Sequence, residues 1–359
     1  MRFNGAGKIF LPKQLGVNDV ERFQPHRVLI EERALDYELG HNLYNYFSQK
    51  RVELKVICSH NRVTGIPGKN PRQSYLEAKR TLVIGVRQSK DFQTCKPSAH
   101  YQLPLVTSCP GKCEYCYLQT TLGKKPYIRI YVNLDEILER AKSYIAAKRP
   151  EVTIFEGAAT SDPLPVEYLT GALAKAIDFF GREQFGRFRF VTKFTDVETL
   201  LKVNHQGHTT VRFSINSPYV INNFEHATPP LAERIAAAGK VASKAYPLGF
   251  IIGPILHYSG WQEDYDKMLA NLRIKLPVST DTIAFELITH RFTTSAKKNI
   301  LELYPQTKLP LNEEERQLKY GQFGYTKYVY PQEIMSELRE FFFARIKKYF
   351  PQAEISYFV

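Results

Sequence analysis

From Tyr101 to Ile288 the chain alternates strand-like and helix-like stretches in six successive units. The strand-like runs are Gln102–Thr107, Val152–Glu156, Arg187–Phe194, Thr210–Ile215, Leu248–Ile255 and Thr282–Ile288. Between them Leu134–Lys148, Val166–Phe180, Val197–Val203, Leu231–Tyr246 and Gln262–Lys275 carry apolar residues at helical spacing. Such a rhythm leaves few options, because parallel strands need crossover connections and those crossovers are right-handed. The expected fold is therefore α/β: a parallel sheet with its helices outside, curled into a partial (β/α)6 barrel of the TIM type. Chemistry in such a fold gathers at the C-terminal ends of the strands.

The flanks read differently. Residues 1–26 look like an N-terminal arm, with Gly5, Gly7, Pro12, Gly16 and Pro25 scattered through it. Residues 27–100 suggest a small α/β cap: strands Val28–Glu32, Val52–Cys58 and Thr81–Val86, and a helix over Ala34–Lys50. Residues 101–290 make up the barrel, and 291–359 a hairpin, a helix over Glu333–Phe350 and a last strand, Ala353–Val359, expected to pack on the cap.

With 359 residues and 43% hydrophobic positions, the chain has ample material for a core. No apolar run reaches the roughly 18 residues that cross a bilayer, and the N-terminus lacks the apolar stretch of a secretory signal. A cytoplasmic protein with no membrane role is expected. The net charge of +13 sits mainly outside the central segment. Residues 1–108 hold 17 basic and 9 acidic side chains, 109–290 hold 21 and 19, and 291–359 hold 11 and 8. Basic flanks attract phosphate without reading sequence, and equally describe a solvated surface.

Three of the five cysteines crowd into Cys109-Pro110-Gly111-Lys112-Cys113-Glu114-Tyr115-Cys116, a C-x3-C-x2-C run after the first barrel strand. Five cysteines make no disulfide framework. Three thiolates on one loop suit soft iron, and can hold three irons of a cubane cluster while leaving the fourth open. Zinc is the other reading; it needs a fourth ligand from His100 or a distant histidine. His60, His100, His257 and His290 lie near strand ends, where histidines more often pack than ligate.

The cysteine run resembles that of the radical S-adenosylmethionine (SAM) superfamily, and Gly249-Phe250-Ile251-Ile252-Gly253 resembles its adenine-side motif, although glycines in a strand also mark tight packing. Longer strings narrow the match: Ser59-His60-Asn61, Ile66-Pro67-Gly68-Lys69-Asn70, Lys96-Pro97-Ser98-Ala99, Phe190-Val191-Thr192-Lys193-Phe194, Phe213-Ser214-Ile215-Asn216 and Phe285-Glu286-Leu287. From about Arg27 to the C-terminus the chain resembles the spore photoproduct lyase family. That resemblance implies a [4Fe-4S] cluster on Cys109, Cys113 and Cys116, and SAM chelated to its open iron. A 5′-deoxyadenosyl radical would then reverse a thymine lesion in DNA. It implies cofactor contacts at Ser161, Lys193, Ser214 and Gly253, with Glu156 and Asp162 flanking the cofactor loop, and a hydrogen relay through Tyr115 and Tyr117. It also implies a substrate-facing hairpin bearing Gln322, Phe323, Lys327 and Tyr328. The implied partners are lesion-bearing DNA and an electron donor such as flavodoxin or ferredoxin, with the enzyme a monomer.

Two positions depart from the family pattern. The hydrogen-donating cysteine is Ala159, in Phe155-Glu156-Gly157-Ala158-Ala159-Thr160-Ser161-Asp162, and an Arg-Tyr pair of the hairpin is Gln322-Phe323. Three readings stay open at this point: a cysteine removed by mutagenesis, a natural homologue using Tyr117, Cys58 or Cys95 as donor, or a paralogue with another, possibly non-nucleic substrate.

Overall fold

The structure, a computed structural model, describes residues 22–89, 91–96, 98–277, 283–320 and 326–359. Its main sheet has eight strands, in the order Glu354–Phe358, Ile283–Thr289, Leu248–Ile255, Thr209–Ile215, Gly186–Thr192, Thr153–Glu156, Ala99–Gln102 and Thr94–Cys95. All neighbours pair in parallel except the last two strands, which form an antiparallel edge. This is the partial barrel that the alternation implies. Its strands alternate as a curled sheet requires: in Gly186–Thr192 the buried Phe188, Phe190 and Thr192 are interleaved with half-buried Arg187, Arg189 and Val191. Phe155, Phe180, Phe188, Phe190, Phe213, Phe250 and Phe285 fill the core.

A second, five-stranded sheet runs Glu53–Ile57, Arg27–Glu31, Thr81–Gly85, Ile128–Tyr131, Val106–Thr107. Two of its strands come from beyond residue 100. The expected single strand Gln102–Thr107 is thus split: Ala99–Gln102 joins the barrel and Val106–Thr107 the cap sheet. Pro104 interrupts the run, and a proline cannot donate to a ladder. The cysteine loop leaves from that cap strand, at the seam of the two sheets.

Three further expectations need correction. The last strand, Glu354–Phe358, does not join the cap; it pairs in parallel with Ile283–Thr289 at the barrel edge. Of Val197–Val203 only a 3-10 turn, Leu200–Lys202, is helical. The helix expected over Val166–Phe180 breaks at Gly171, whose φ of 60° places it in the left-handed region. Glu167 bridges that break, its carboxylate accepting from the N–H groups of Leu173 (2.7 Å) and Ala174 (2.9 Å) at the start of Ala172–Arg182. Burial pushes its carboxyl up to about 7 against those bonds.

The barrel interior is ionic. Arg212 Nη1 donates to both oxygens of Glu286 at 2.9 and 3.0 Å and its Nη2 bonds Glu156, while Arg189 pairs with Glu286 and lies 3.5 Å from Glu156. Tyr357, from the last strand, donates to Glu286 at 2.7 Å. Charges so deeply buried are tolerable only when paired, so this network fixes how the strands sit against one another. Burial works against the Glu286 charge, but Arg212 and Arg189 outweigh it and hold its carboxyl low.

Candidate active site

The cysteine loop is stitched in place mainly by backbone. Lys112–Cys113 forms a two-residue antiparallel ladder with Glu225–His226, in which Cys113 faces Glu225. The N–H of Glu114 donates to Phe224 at 2.9 Å, and Gln119 Nε2 to the Cys113 carbonyl at 2.8 Å. On the other side buried Lys79 donates to the Cys109 carbonyl at 2.7 Å. Gly111 packs closely: a Cβ there would stand 3.2 Å from Cys109 Sγ and 3.1 Å from Thr228 Cγ2, so a side chain would press on both. Its N–H also donates to Cys109 Sγ at 3.2 Å, a contact that favours a thiolate.

All three cysteines of the loop are free. Burial drives the Cys109 thiol well above its ordinary range and the Cys113 thiol up to about 12. Such thiols ionise only when a cation compensates them. Among the described residues no three His, Cys, Asp or Glu side chains stand in position to hold a metal ion. His100, the histidine expected as a zinc ligand, accepts the N–H of Ile154 through Nδ1 at 2.9 Å. A cubane spreads its irons over separate corners, so three thiols spaced round one loop fit it.

The loops beside the cysteines come from successive barrel strand ends. Ser161 follows Thr153–Glu156, Lys193 follows Gly186–Thr192, and Ser214 lies near the end of Thr209–Ile215. Asp162 ties two of these loops together, accepting from the N–H of Lys193 (2.8 Å), Thr192 Oγ1 (3.0 Å) and the N–H of Leu164 (3.2 Å). Burial nonetheless pushes its carboxyl up to about 6. Ser161 Oγ is buried without any protein partner, a donor left for a ligand. Lys193 Nζ lies 2.9 Å from Ser214 Oγ and 3.2 Å from the Tyr115 hydroxyl, so three of the expected residues meet at one ammonium. Gly253 sits at the register shift of Leu248–Ile255, where a Cβ would stand 3.1 Å from Ile288 Cβ, so its backbone packs closely.

The two tyrosines part ways. Tyr115 is bonded inward to Glu225, whereas Tyr117 is 56% exposed and donates to the carbonyl of Ala159. The expected relay tyrosine thus touches the backbone of the very position that lacks its cysteine. Cys58 is exposed just beyond the cap strand Glu53–Ile57. Cys95 is half-buried, on the strand pairing with Ala99–Gln102.

The hairpin strands are Gln317–Tyr320 and Thr326–Val329, with Lys327 opposite Lys319. Gln322 and Phe323 lie outside the described residues. Tyr328 stacks on Phe292 with centroids 5.3 Å apart, and both it and Tyr115 pack on the apolar cluster around Phe224, Phe292 and Leu311. Tyr320 is 79% exposed beside this assembly.

Sequence reasoning misses Glu225, Arg234 and Lys79. Glu225 is separated from Tyr115 by 110 positions and belongs to no recognisable motif. The only signal was the rarity of carboxylates in buried places, which a sequence does not display.

The family model described as spore photoproduct lyase matches residues 23–359. The spore photoproduct lyase of Clostridium acetobutylicum is 51% identical over 93% of this chain and 98% of its own. That of Bacillus subtilis is 50% identical over 94% and 98%. A solved spore photoproduct lyase, carrying a cysteine-to-alanine and a serine-to-cysteine exchange and bound to AdoMet and dinucleoside spore photoproduct, superposes with a TM-score of 0.92 at 48% identity, covering 94% of this chain and all of its own. With that agreement in sequence and fold along nearly the whole length, the chain belongs to the spore photoproduct lyase family.

Proposed function

We propose that this protein is a radical SAM lyase that returns spore photoproduct in DNA to two thymines. The observation that carries the reading is the union of the free cysteine triad with Ser161, Lys193 and Ser214 at adjacent strand ends, in a chain half identical to lyases over almost their full length. A paralogue with a non-nucleic substrate is the weaker reading on that identity. Cys109, Cys113 and Cys116 would hold the [4Fe-4S] cluster. The cluster and SAM, when bound, supply a 5′-deoxyadenosyl radical. Lys193 would pair with the cofactor carboxylate, Ser161 Oγ and Ser214 Oγ would bond its polar groups, and Gly253 would admit its adenine side. Lys327 and Tyr328, with Gln322 and Phe323, would meet the lesion, helped by basic flanks that attract the phosphate backbone. An electron donor of the flavodoxin or ferredoxin type, a monomeric state and a cytoplasmic location complete the proposal. No helix among the described residues is long and apolar enough to cross a membrane.

Ala159 has no S–H bond to give, so the hydrogen returned to the thymine radical needs another source. We assign it to Cys95. In the doubly exchanged relative, the alanine and the new cysteine are separated by the same number of residues as Ala159 and Cys95 here. In the return step the S–H bond would break homolytically and a C–H bond form on thymine, leaving the unpaired electron on sulfur; Tyr117 would return a hydrogen to the sulfur and itself recover one from the C–H of 5′-deoxyadenosine, which would carry the unpaired electron away from the protein. Ala159 is then a natural feature of this chain, consistent with a cysteine already placed nearby.

Lys193→Ala tests the cofactor half. Losing a charge-assisted bond of about 1.5–3 kcal/mol should weaken SAM binding roughly 10- to 100-fold in anaerobic equilibrium titration. Unchanged affinity would remove Lys193 from the site.

A further inference from the structure

Glu225 has no place in the mechanism so far, yet its side chain is fully buried at the centre of the site. One oxygen lies 3.0 Å from Lys193 Nζ and accepts from the Tyr115 hydroxyl; the other lies 2.7 Å from Arg234 Nη2. Arg234, also fully buried, is fixed in turn by the carbonyls of Pro229 (2.8 Å) and Ser214 (3.1 Å) and by Thr228 Oγ1 (2.8 Å). Backbone pairing sets Glu225 directly opposite Cys113.

We propose that Glu225, braced by Arg234, is a positioning residue that sets the Lys193 ammonium and the Tyr115 hydroxyl together against the cysteine loop, so that SAM binding and the tyrosine relay share one anchor. The proposal rests on the reading of Lys193 as the residue for the cofactor carboxylate.

Three physical points support it. Two cations and one carboxylate leave a single net positive charge, and Lys193, with 17% of its side chain exposed, is the member that can meet a ligand. A lysine stem also has many rotamers, and pinning its ammonium between Glu225, Ser214 and Tyr115 removes that freedom before the ligand arrives, which lowers the entropic cost of binding. Finally, the Tyr115 hydroxyl donates to the same Glu225 oxygen that holds Lys193 Nζ, so one carboxylate orients both groups.

The test is a double-mutant cycle on anaerobically reconstituted protein, with Glu225→Gln, Lys193→Met and the pair. SAM affinity is read by equilibrium binding, and SAM contact with the cluster by the change it makes in the EPR signal of the reduced cluster. Glu225→Gln is expected to weaken SAM about tenfold, a step of roughly 1.4 kcal/mol, and to add nothing once Lys193 is gone. Equal losses in both backgrounds would mean that Glu225 serves only the fold, and would overturn the proposal. Unchanged affinity in Lys193→Met alone would instead overturn the reading of Lys193, and the proposal with it. Should Glu225→Gln fail to hold a cluster, Glu225→Asp carries the same cycle, since it keeps the charge and shortens the reach. A loss confined to the Lys193 background supports the proposal, and no loss overturns it.

Discussion

Cys113→Ala protein, reconstituted without oxygen, should hold almost none of the roughly four irons and four sulfides of a cubane cluster, and should release no 5′-deoxyadenosine from SAM. The size of the effect follows from the site. Cys113 is the most buried of the three residues and the one held in a backbone ladder, so no neighbouring cysteine can slide into its place. Cys58 is exposed outside the loop, and Cys95 lies on another strand. The fold itself should survive, since the ladder to Glu225 is made by backbone and the Gln119 bond goes to the Cys113 carbonyl. Iron and sulfide analysis with circular dichroism checks both halves of the statement. One zinc per chain in the parent protein would contradict the cluster assignment.

Cys95→Ala should leave cluster assembly and cofactor cleavage intact while lowering the yield of clean thymine product by about tenfold or more. Abstraction of hydrogen from the lesion does not use this thiol; only the return does. Breaking a weak S–H bond to make a stronger C–H bond is downhill, and a methyl side chain offers no comparable hydrogen. The thiol is also kept in its hydrogen-bearing form: burial, then the charge of Glu156, pushes it up to about 11. Ala159→Cys in the Cys95→Ala background should recover the yield, because it restores the family's donor at a position already touched by Tyr117. Product analysis with SAM consumption measured in parallel separates the two steps. A Cys95→Ala enzyme with full yield would return the donor role to Tyr117 itself.

The parts of this site that the sequence makes legible are those written in short spacings. The C-x3-C-x2-C run lies within one loop, whereas Ser161, Lys193 and Ser214, at or near the ends of apolar strands, are singled out by the family resemblance and not by spacing. What brings these residues together is long-range and leaves no local trace. The Glu225 and Arg234 pair owes its place to Lys112–Cys113 pairing with Glu225–His226, a ladder too short to show as a pattern. Likewise, Ile128–Tyr131 enters the cap sheet because the chain returns from the cysteine loop to the seam, which periodicity cannot say. The break at Gly171 turns on one carboxylate that bonds two N–H groups beyond it, a tertiary detail laid over an apolar pattern that runs on unbroken.

This chain is expected to repair spore photoproduct with the radical chemistry of its family. The most direct test is anaerobic incubation of the reduced, cluster-loaded protein with SAM and dinucleoside spore photoproduct, followed by chromatography of both products. The lesion should disappear and the unlinked thymine pair appear, with 5′-deoxyadenosine formed only when SAM and reductant are present. Release of 5′-deoxyadenosine with the lesion left unchanged, under conditions in which the Bacillus subtilis enzyme clears it, would contradict that expectation.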